Sequence, residues 1–234
     1  MQALELSPRL AAIAAQVPSG DRLADVGTDH AYLPAFLLLE GKIAGAVATD
    51  VNQGPLLRGR ESARTYGVEE KIDFRLCDGL ADVSAGEVDT VVIAGMGGEL
   101  IARILDAAPW TKRALLLLQP MSSQSELRKW LTEHGYSIRR ERVVKEGTTY
   151  YVILTVTGGE SEPYTQAELW AGRQKEGEKD PYRLEYLENL IHRRKRALEG
   201  MRQGSTLSPE KLQEEEALLR GLEQLREEWS KWQL

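Results

Sequence analysis

The fold is decided by residues 23–30, which read Leu-Ala-Asp-Val-Gly-Thr-Asp-His. An apolar run ends in an acidic residue and a glycine turn follows at once, which is typical of a buried strand that leads into a helix. Ligands of open α/β sheets bind at the carboxyl ends of such strands. Asp25, Gly27 and Asp29 therefore mark a candidate site as well as a strand end. An ordinary turn with a capping Asp is the alternative interpretation.

Around this stretch, short apolar runs alternate with amphipathic segments, which predicts βαβ units and a mainly parallel sheet. We expect strands at residues 22–26, 45–49, 72–76, 90–94, 114–119, 137–144 and 150–157. We expect helices at residues 4–16, 34–40, 53–66, 99–107 and 124–133. The last two strands are too close for a crossover helix and predict an antiparallel hairpin that turns at Glu146 and Gly147.

After Gly158 the sequence becomes rich in Glu, Lys, Arg and Leu, and no β-rich run follows. Apolar residues recur there at intervals of three and four, which predicts two amphipathic helices. The short connection near residues 203–209 indicates an antiparallel helical hairpin. The expected architecture is an α/β, Rossmann-like domain with seven strands at residues 1–160, followed by a small coiled-coil-like domain at residues 161–234.

Composition limits the classes of protein to consider. The 234 residues are 42% hydrophobic and 28% charged, as in soluble globular proteins. Cys77 is the only cysteine, so we expect no disulfide, no metal site and a cytoplasmic location. No apolar run is long enough to span a membrane. The net charge of −6 argues weakly against nucleic-acid binding, although local basic patches are what phosphates bind.

Two more carboxylates follow the next two predicted strands. Asp50 stands 25 residues after Asp25, where an acidic residue can accept both hydroxyls of a ribose. Asp78 could accept from an adenine amine, and Gly79 would allow a flat base to approach closely. Asp50 could instead cap a helix, and Asp78-Gly79 could be a simple turn. The three carboxylates in order carry more weight than each one alone.

The sign of these charges indicates the ligand. S-adenosylmethionine carries a sulfonium and an ammonium group but no phosphate, whereas a dinucleotide site needs glycines and helix N-terminal amides. Asp29 occupies the second glycine position of the dinucleotide motif. The sequence therefore favours S-adenosylmethionine as the cofactor. An NAD-dependent oxidoreductase, resting on Asp50 and a glycine cluster further along, is the alternative.

That glycine cluster follows the fourth predicted strand, where residues 93–99 read Ile-Ala-Gly-Met-Gly-Gly-Glu. Three glycines at a strand-to-helix junction indicate that the backbone approaches a cofactor or a target base closely. A phosphate-binding loop is the other interpretation. Glu99 would oppose a phosphate there, so we favour a methyl-transfer site.

Three motifs carry a resemblance to a known family. They are Asp-Val-Gly-Thr-Asp-His-Ala-Tyr-Leu-Pro from Asp25, Ala-Gly-Met-Gly-Gly from Ala94 and Leu-Gln-Pro-Met from Leu118. They resemble the bacterial tRNA (adenine-22, N1) methyltransferases of the TrmK type, and the resemblance covers essentially the whole chain. It implies a class I methyltransferase fold followed by a small helical domain. The implied partner is tRNA, and we expect a monomer or a homodimer.

The resemblance also implies roles for individual residues. The methionine end of the cofactor would lie against Asp25, Gly27, Asp29 and His30. Its ribose would lie against Asp50, and its adenine against Asp78 and Gly79. The place where the methyl group passes to the base, the transfer point, would be formed by Ala94, Gly95, Met96 and Gly97. The candidate catalytic residues are Asp29 for the charge that reaches the base, His30 and Tyr32 for base orientation or stacking, and Met96 at the transfer point.

The chain lacks the Asp/Asn-Pro-Pro-aromatic tetrapeptide that methyltransferases use on exocyclic amines. Ring N1 of adenine already offers an in-plane lone pair, so positioning and charge stabilisation suffice without a strong base. N1 lies on the Watson–Crick edge, so the base must leave its stack. Candidate RNA contacts are Arg139, Arg140, Arg193, Arg194, Lys195 and Arg196. Alternatives are a solvated helix face and a non-catalytic RNA-binding or dimerisation module.

Overall fold

A computed structural model describes residues 4–175, 177–203 and 209–232. The strands are β1 (Arg22–Val26), β2 (Gly45–Asp50), β3 (Ile72–Leu76), β4 (Thr90–Gly97), β5 (Leu115–Ser122), β6 (Tyr136–Glu146) and β7 (Thr149–Gly158). The helices are α1 (Pro8–Gln16), α2 (Tyr32–Leu39), α3 (Gln53–Thr65), α4 (Gly98–Ala107), α5 (Gln124–Glu133), α6 (Gln166–Ala171), α7 (Arg183–Gln203) and α8 (Pro209–Trp232). None of these helices is both long enough and apolar enough to cross a membrane.

The seven strands form one sheet in the order β3-β2-β1-β4-β5-β7-β6. β1 to β5 pair in parallel, and β7 pairs antiparallel with both β5 and β6. The predicted Rossmann-like sheet with a terminal hairpin is therefore confirmed. The strand order reverses between β1 and β4, and such a switch point opens a crevice at the carboxyl ends of the strands.

Both faces of the sheet are buried. On one face Ile93 and Leu118 pack with Ile101 of α4, and on the other Val92 and Leu117 pack with Leu37 of α2. Neighbouring residues of a strand point to opposite faces, so one apolar run supplies both layers of the core. This explains why the strands of the sequence are continuously apolar rather than alternating.

Two strands extend three residues beyond their predicted carboxyl ends. β4 continues to Gly97 and β5 to Ser122, with register shifts between Ala94 and Met96 and again between Met96 and Gly97. The glycine-rich segment, which the sequence assigns to a loop, is thus partly strand. α1 is shorter than predicted, because Ser7 begins it by accepting a hydrogen bond from the Leu10 amide at 3.4 Å.

The sequence does not predict α6, which precedes the two helices of the hairpin. It begins at a capping box in which Thr165 and Glu168 bond to each other's backbone amides. α7 and α8 run antiparallel, since Arg202 pairs with Glu216 and Lys195 with Glu223. A separate apolar cluster joins the three helices through Ala167, Ala171, Leu187, Leu190, Ile191, Leu218, Leu222 and Trp229. The predicted connection falls largely on residues 204–208, outside the described residues.

Buried charges join the hairpin to the sheet. Arg128 of α5 donates to Glu141 of β6 at 2.8 Å and to the Leu169 carbonyl of α6 at 2.7 Å. Arg183 of α7 pairs with Asp180 at 3.4 Å and lies 3.8 Å from Glu141, and Asp180 accepts from the Val143 amide of β6 at 2.8 Å. These side chains are 8% exposed or less. A buried network of this kind is stable only when its charges stay paired, so it fixes how the hairpin sits on α5 and β6.

Candidate active site

The ends of β1 and β4 meet at the switch point through Gly27 and Met96. Gly27 has φ +74°, and a Cβ atom placed on it would lie 2.1 Å from Met96 Cε. Glycine adopts this conformation without strain, and any other residue would also force the flexible end of Met96 to move. The structure thus brings a predicted cofactor residue and a predicted transfer-point residue into contact.

Asp25 is the buried carboxylate of the site. It lies at the end of β1 with 9% of its surface exposed, and this burial raises the pKa of its carboxyl group to about 6. A carboxylate in such surroundings gains from a cation brought close to it, because water is excluded. The site is therefore poised to accept a positively charged ligand.

Asp29 and His30 lie in the turn that leads to α2. The Asp29 carboxylate accepts hydrogen bonds from Arg58 of α3, and His30 Nε2 lies 3.5 Å from it. The His30 ring stacks on Tyr32 with centroids 5.0 Å apart and planes 9° apart. Tyr32 is 39% exposed, so its free face can receive another ring. Asp29 is paired with the Arg58 guanidinium, which the sequence does not reveal.

Asp50 and Asp78 follow β2 and β3 at the same edge of the sheet. Asp50 Oδ1 accepts from the Asn52 amide at 2.7 Å, which holds the carboxylate in place and leaves its second oxygen without a described partner. Val51 beside it is 64% exposed and offers an apolar surface to a base. Asp78 is exposed, whereas Gly79 is buried. A Cβ on Gly79 would lie 2.9 Å from Ile104, so packing against α4 also accounts for this glycine.

The three glycines after Ala94 are glycines for different structural reasons. Gly95 has φ +81° and a Cβ there would lie 3.5 Å from Arg9 Nη1, while a Cβ on Gly97 would lie 3.1 Å from Ser122 Oγ. A Cβ on Gly98 would lie 2.3 Å from the Ser123 carbonyl oxygen. The interpretation that all three glycines admit a ligand is therefore too broad, because Gly98 admits the backbone of the next loop.

Strained backbone flanks the site. Among the described residues, Ala31 and Ser123 are the non-glycine residues with positive φ, at 51° and 50°. Each begins a helix at the carboxyl edge of the sheet, α2 and α5 respectively. Such conformations cost about 1 to 2 kcal/mol for residues with a Cβ, and they concentrate at functional sites.

Arg9 and Gln119 lie at this edge too, and sequence reasoning missed both as site residues. Arg9 Nη1 donates to Gln119 Oε1 at 2.6 Å, and Gln119 is completely buried. Gln119 belongs to the Leu-Gln-Pro-Met motif, so a signal for it existed. Arg9 is a single arginine in an amphipathic helix, and such a residue carries no sequence signal for a site.

The two groups of candidate RNA contacts lie in different places. Arg140 aligns through Thr155 with Leu117, about five residues or roughly 15 Å before the end of β5, and Arg139 lies in the irregularity beside it. They line a cleft of about 550 Å³ whose other charged side chains are two cations and six carboxylates, namely Arg173, Lys175, Glu141, Glu160, Glu162, Glu168, Glu178 and Glu228. Because carboxylates outnumber cations there, the cleft disfavours a phosphate.

The four consecutive cations of α7, residues 193–196, fall into two groups by their contacts. Arg194 lies 4.0 Å above the Trp170 ring and pairs with Glu215, and Lys195 pairs with Glu223. Arg193 and Arg196 are exposed and make no hydrogen bond or ion pair with a described residue. Arg193 lines a second cleft of about 550 Å³, which runs between α7 and the loop after β5. Arg193 thus lies on the side of α7 that faces the carboxyl end of β5.

The donor set fits a cationic nucleoside. Carboxylates end β1, β2 and β3, the first of them buried, and Gly27 allows a ligand to approach the backbone. Among the described residues, no group of three or more His, Cys, Asp or Glu side chains is arranged to hold a metal ion.

Known proteins resemble this chain over both of its parts. The family profile described as "Methyltransferase domain" matches residues 6–154. The tRNA (adenine(22)-N(1))-methyltransferase of Bacillus subtilis is 38% identical over 175 residues, 74% of each chain. The crystal structure of the B. subtilis m1A22 tRNA methyltransferase TrmK superposes with a TM-score of 0.86 at 30% identity, covering 96% of this chain and all of that one.

A second solved structure shows a relative with a bound cofactor. A candidate tRNA (m1A22) methyltransferase from Streptococcus pneumoniae, in complex with S-adenosyl-L-methionine, superposes with a TM-score of 0.83 at 32% identity. It covers 95% of this chain and all of its own. The likeness therefore includes the C-terminal helices as well as the sheet.

Proposed function

The chain belongs to the tRNA (adenine(22)-N(1))-methyltransferase family, and we propose that it transfers a methyl group from S-adenosyl-L-methionine to N1 of adenosine 22 in tRNA. The observation that carries this proposal is the set of carboxylates at the ends of β1, β2 and β3 in a chain of this family. They match a cofactor that is cationic and has no phosphate.

The cofactor residues divide by the part of the ligand they would hold. Buried Asp25, with Gly27, Asp29 and His30, would hold the methionine end. Asp50 would accept the ribose hydroxyls through its free oxygen, and Asp78 and Gly79 would border the adenine. Ala94, Gly95, Met96 and Gly97 would form the transfer point. The contact between Met96 and Gly27 supports placing the sulfonium where β1 and β4 meet.

S-adenosylmethionine supplies an electrophilic methyl group on a positively charged sulfur. Adenine N1 attacks that carbon with its lone pair, and the electrons of the breaking carbon–sulfur bond go to sulfur. The positive charge thereby passes from the cofactor to the base. Asp29 would stabilise that charge, and the stacked pair of His30 and Tyr32 would receive the target ring.

For tRNA, Arg193 and Arg196 of α7 are the best-placed candidates, since both are exposed and unpaired among the described residues. Arg194 and Lys195 would assist only after leaving their ion pairs, and Arg139 and Arg140 face carboxylates. A cation aids phosphate binding most when no carboxylate neutralises it. Arg193 also lies closest to the catalytic edge.

Incubation of the protein with labelled S-adenosylmethionine and unmodified tRNA, followed by mapping of the product by mass spectrometry, tests the proposal. Label on N1 of adenosine 22 is expected, and a transcript that carries guanosine instead of this adenosine is the matched substrate control. Label found only on protein or small molecules would refute the RNA substrate. Tight NAD binding without S-adenosylmethionine binding in calorimetric titrations would favour an oxidoreductase instead.

We also propose that residues 1–160 form the catalytic domain and residues 161–234 a tRNA-contacting domain, in a cytoplasmic monomer or homodimer. The separate apolar cluster of the C-terminal helices supports the division. Deletion of residues 161–234 is expected to preserve cofactor binding and to lower tRNA methylation. Unchanged methylation would refute the role given to the hairpin.

A further inference from the structure

Arg9 reaches from the first turn of α1 to the carboxyl edge of the sheet. Its Nη1 donates to Gln119 Oε1 at 2.6 Å, and its guanidinium lies 5.3 Å from the centre of the Tyr151 ring. Its backbone amide donates to Glu146 Oε1 at 2.5 Å. Contacts to β5, β6 and β7 therefore fix the position of this cation.

The guanidinium lies beside the transfer point. A Cβ on Gly95 would lie 3.5 Å from Arg9 Nη1, which is ordinary contact distance. Gly95 lies where the register of β4 and β5 shifts, directly before Met96. The cation thus packs on the exposed backbone of β4, one residue from the methionine that covers Gly27.

Arg9 keeps donors that nothing in the described protein accepts. Its Nε is buried without a hydrogen-bond partner, and Nη2 makes no hydrogen bond with a described residue. No described carboxylate forms an ion pair with it. A buried donor without a partner destabilises a protein, so its presence beside a substrate site indicates a partner that arrives with the substrates.

Gln119 prepares this arrangement. It is completely buried, and its Nε2 donates to the Pro120 carbonyl at 3.1 Å and to Met121 Sδ at 3.4 Å. Its amide is therefore oriented so that Oε1 faces Arg9. One edge of the guanidinium is occupied by Gln119, and the remaining donors are left for an incoming acceptor.

We propose that Arg9 is a substrate-binding residue that holds an oxyanion at the transfer point; this rests on the proposed function. An anion is favoured over a neutral acceptor on the base, because methylation places a positive charge on the adenine and a nearby guanidinium would oppose it. A guanidinium fork matches both carboxylate and phosphate oxygens. The proposed substrates bring two such groups, the carboxylate of the cofactor and the phosphate of the target nucleotide.

The first arm of the test identifies the carboxylate. S-adenosylmethionine and its decarboxylated analogue are titrated calorimetrically against the wild type and Arg9→Gln. If Arg9 holds the carboxylate, the wild type prefers S-adenosylmethionine by about 10- to 100-fold and the variant loses that preference. Gln119→Glu, which holds the guanidinium more tightly, should reduce the preference.

The second arm identifies the phosphate. If Arg9 instead holds the phosphate of the target nucleotide, the wild type and Arg9→Gln bind S-adenosylmethionine equally, but Arg9→Gln raises the KM for tRNA about 10-fold. The slope of log affinity against log salt also falls by about 0.7 to 0.9, as expected for one lost phosphate contact. A merely structural role would change neither the cofactor preference nor the salt slope.

Arg60→Gln is the matched control, because Arg60 also lies over an aromatic ring, at 4.9 Å from Phe74, and donates to one carbonyl. If Arg9→Gln does not fold, Arg9→Lys replaces it, since lysine keeps the charge and lacks the fork. An unchanged cofactor preference together with an unchanged salt slope overturns the proposal. A wild type that binds S-adenosylmethionine but transfers no label to tRNA contradicts the proposed function instead, and the first arm still decides on Arg9.

Discussion

Burial of Asp25 raises the pKa of its carboxyl group from 3.8 to about 6. The folded protein therefore binds this proton more tightly than the unfolded chain, so the ligand-free protein loses stability as the pH rises from about 4 to about 6. The loss is on the order of 3 kcal/mol, at about 1.4 kcal/mol per pKa unit. A cation bound at Asp25 would recover part of it.

This linkage predicts the pH dependence of cofactor binding. The affinity for S-adenosylmethionine should rise from pH 5 to about pH 6.5 and then level off, since the ionised carboxylate binds the cation. Asp25→Asn should weaken binding at pH 7.5 by about 10-fold or more and remove this dependence. Calorimetry across this pH range measures both effects, with the exposed Asp106→Asn as the control. A variant with the wild-type profile would contradict the assignment.

The ion pair of Asp29 and Arg58 leads to a second residue-scale prediction. If Asp29 stabilises the charge that reaches the base, Asp29→Asn should lower kcat about 10- to 100-fold, and Arg58→Gln should have a smaller effect because the carboxylate remains. Single-turnover rates of both variants and of the double variant measure this. Equal losses in all three would show that the pair acts only as a structural contact.

Among single residues, the sequence predicts the site residues that follow strands. It does not predict the site residues that reach the site from other elements. Asp25, Asp50 and Asp78 are predictable because the carboxyl ends of parallel strands share one edge. Arg58 and Arg9 come from helices α3 and α1, and only the packed structure brings them to that edge. Their interactions depend on tertiary distance, which no local pattern encodes.

The start of α4 carries the element-scale prediction. A Cβ on Gly98 would lie 2.3 Å from the Ser123 carbonyl and 3.0 Å from that of Ser122, and backbone cannot rotate away. Gly98→Ala should destabilise the protein by about 1 to 3 kcal/mol and displace the loop before α5. Thermal unfolding and methylation should both suffer.

Gly200→Ala is the matched control for that variant. Gly200 lies within α7, and a Cβ there would meet nothing within 4 Å. The same chemical change should therefore stabilise the protein by about 0.5 to 1 kcal/mol. If both variants shifted the melting temperature in the same direction, steric contact at Gly98 would not explain its glycine.

The sequence predicts well whether a segment is a helix or a strand, but it predicts less well the residues at which each helix or strand ends. Seven strands and the C-terminal hairpin follow from apolar periodicity. The extension of β4 to Gly97 does not, because glycines rarely favour strands and cross-strand pairing with β5 overrides that preference. α6 has only six residues, too few for a periodic signal, and is stabilised by its capping box and by packing on α8.

At the scale of the whole molecule, the buried charges decide whether the two parts move as one. Arg128 and Glu141 both belong to the sheet domain, so their pair can survive exposure to water. Arg183 belongs to α7, and its guanidinium lies 3.8 Å from Glu141 of β6 and 3.4 Å from Asp180, which in turn accepts a hydrogen bond from the Val143 amide of β6 at 2.8 Å. Arg183 is thus the charge whose removal tests the junction specifically.

Arg183→Met should cost about 3 to 5 kcal/mol, because it leaves buried Asp180 and Glu141 with less compensation. The amides of α7 and α8 should exchange hydrogen faster while those of β1 and β4 stay protected. The KM for tRNA should rise, and the affinity for S-adenosylmethionine should not change, because the cofactor residues lie on β1 to β4. Arg202→Ala, which breaks an exposed pair with Glu216, should cost under about 1 kcal/mol and serves as the control. If Arg183→Met lost cofactor binding together with tRNA methylation, the hairpin would be part of the cofactor site's support rather than a separate tRNA-contacting unit.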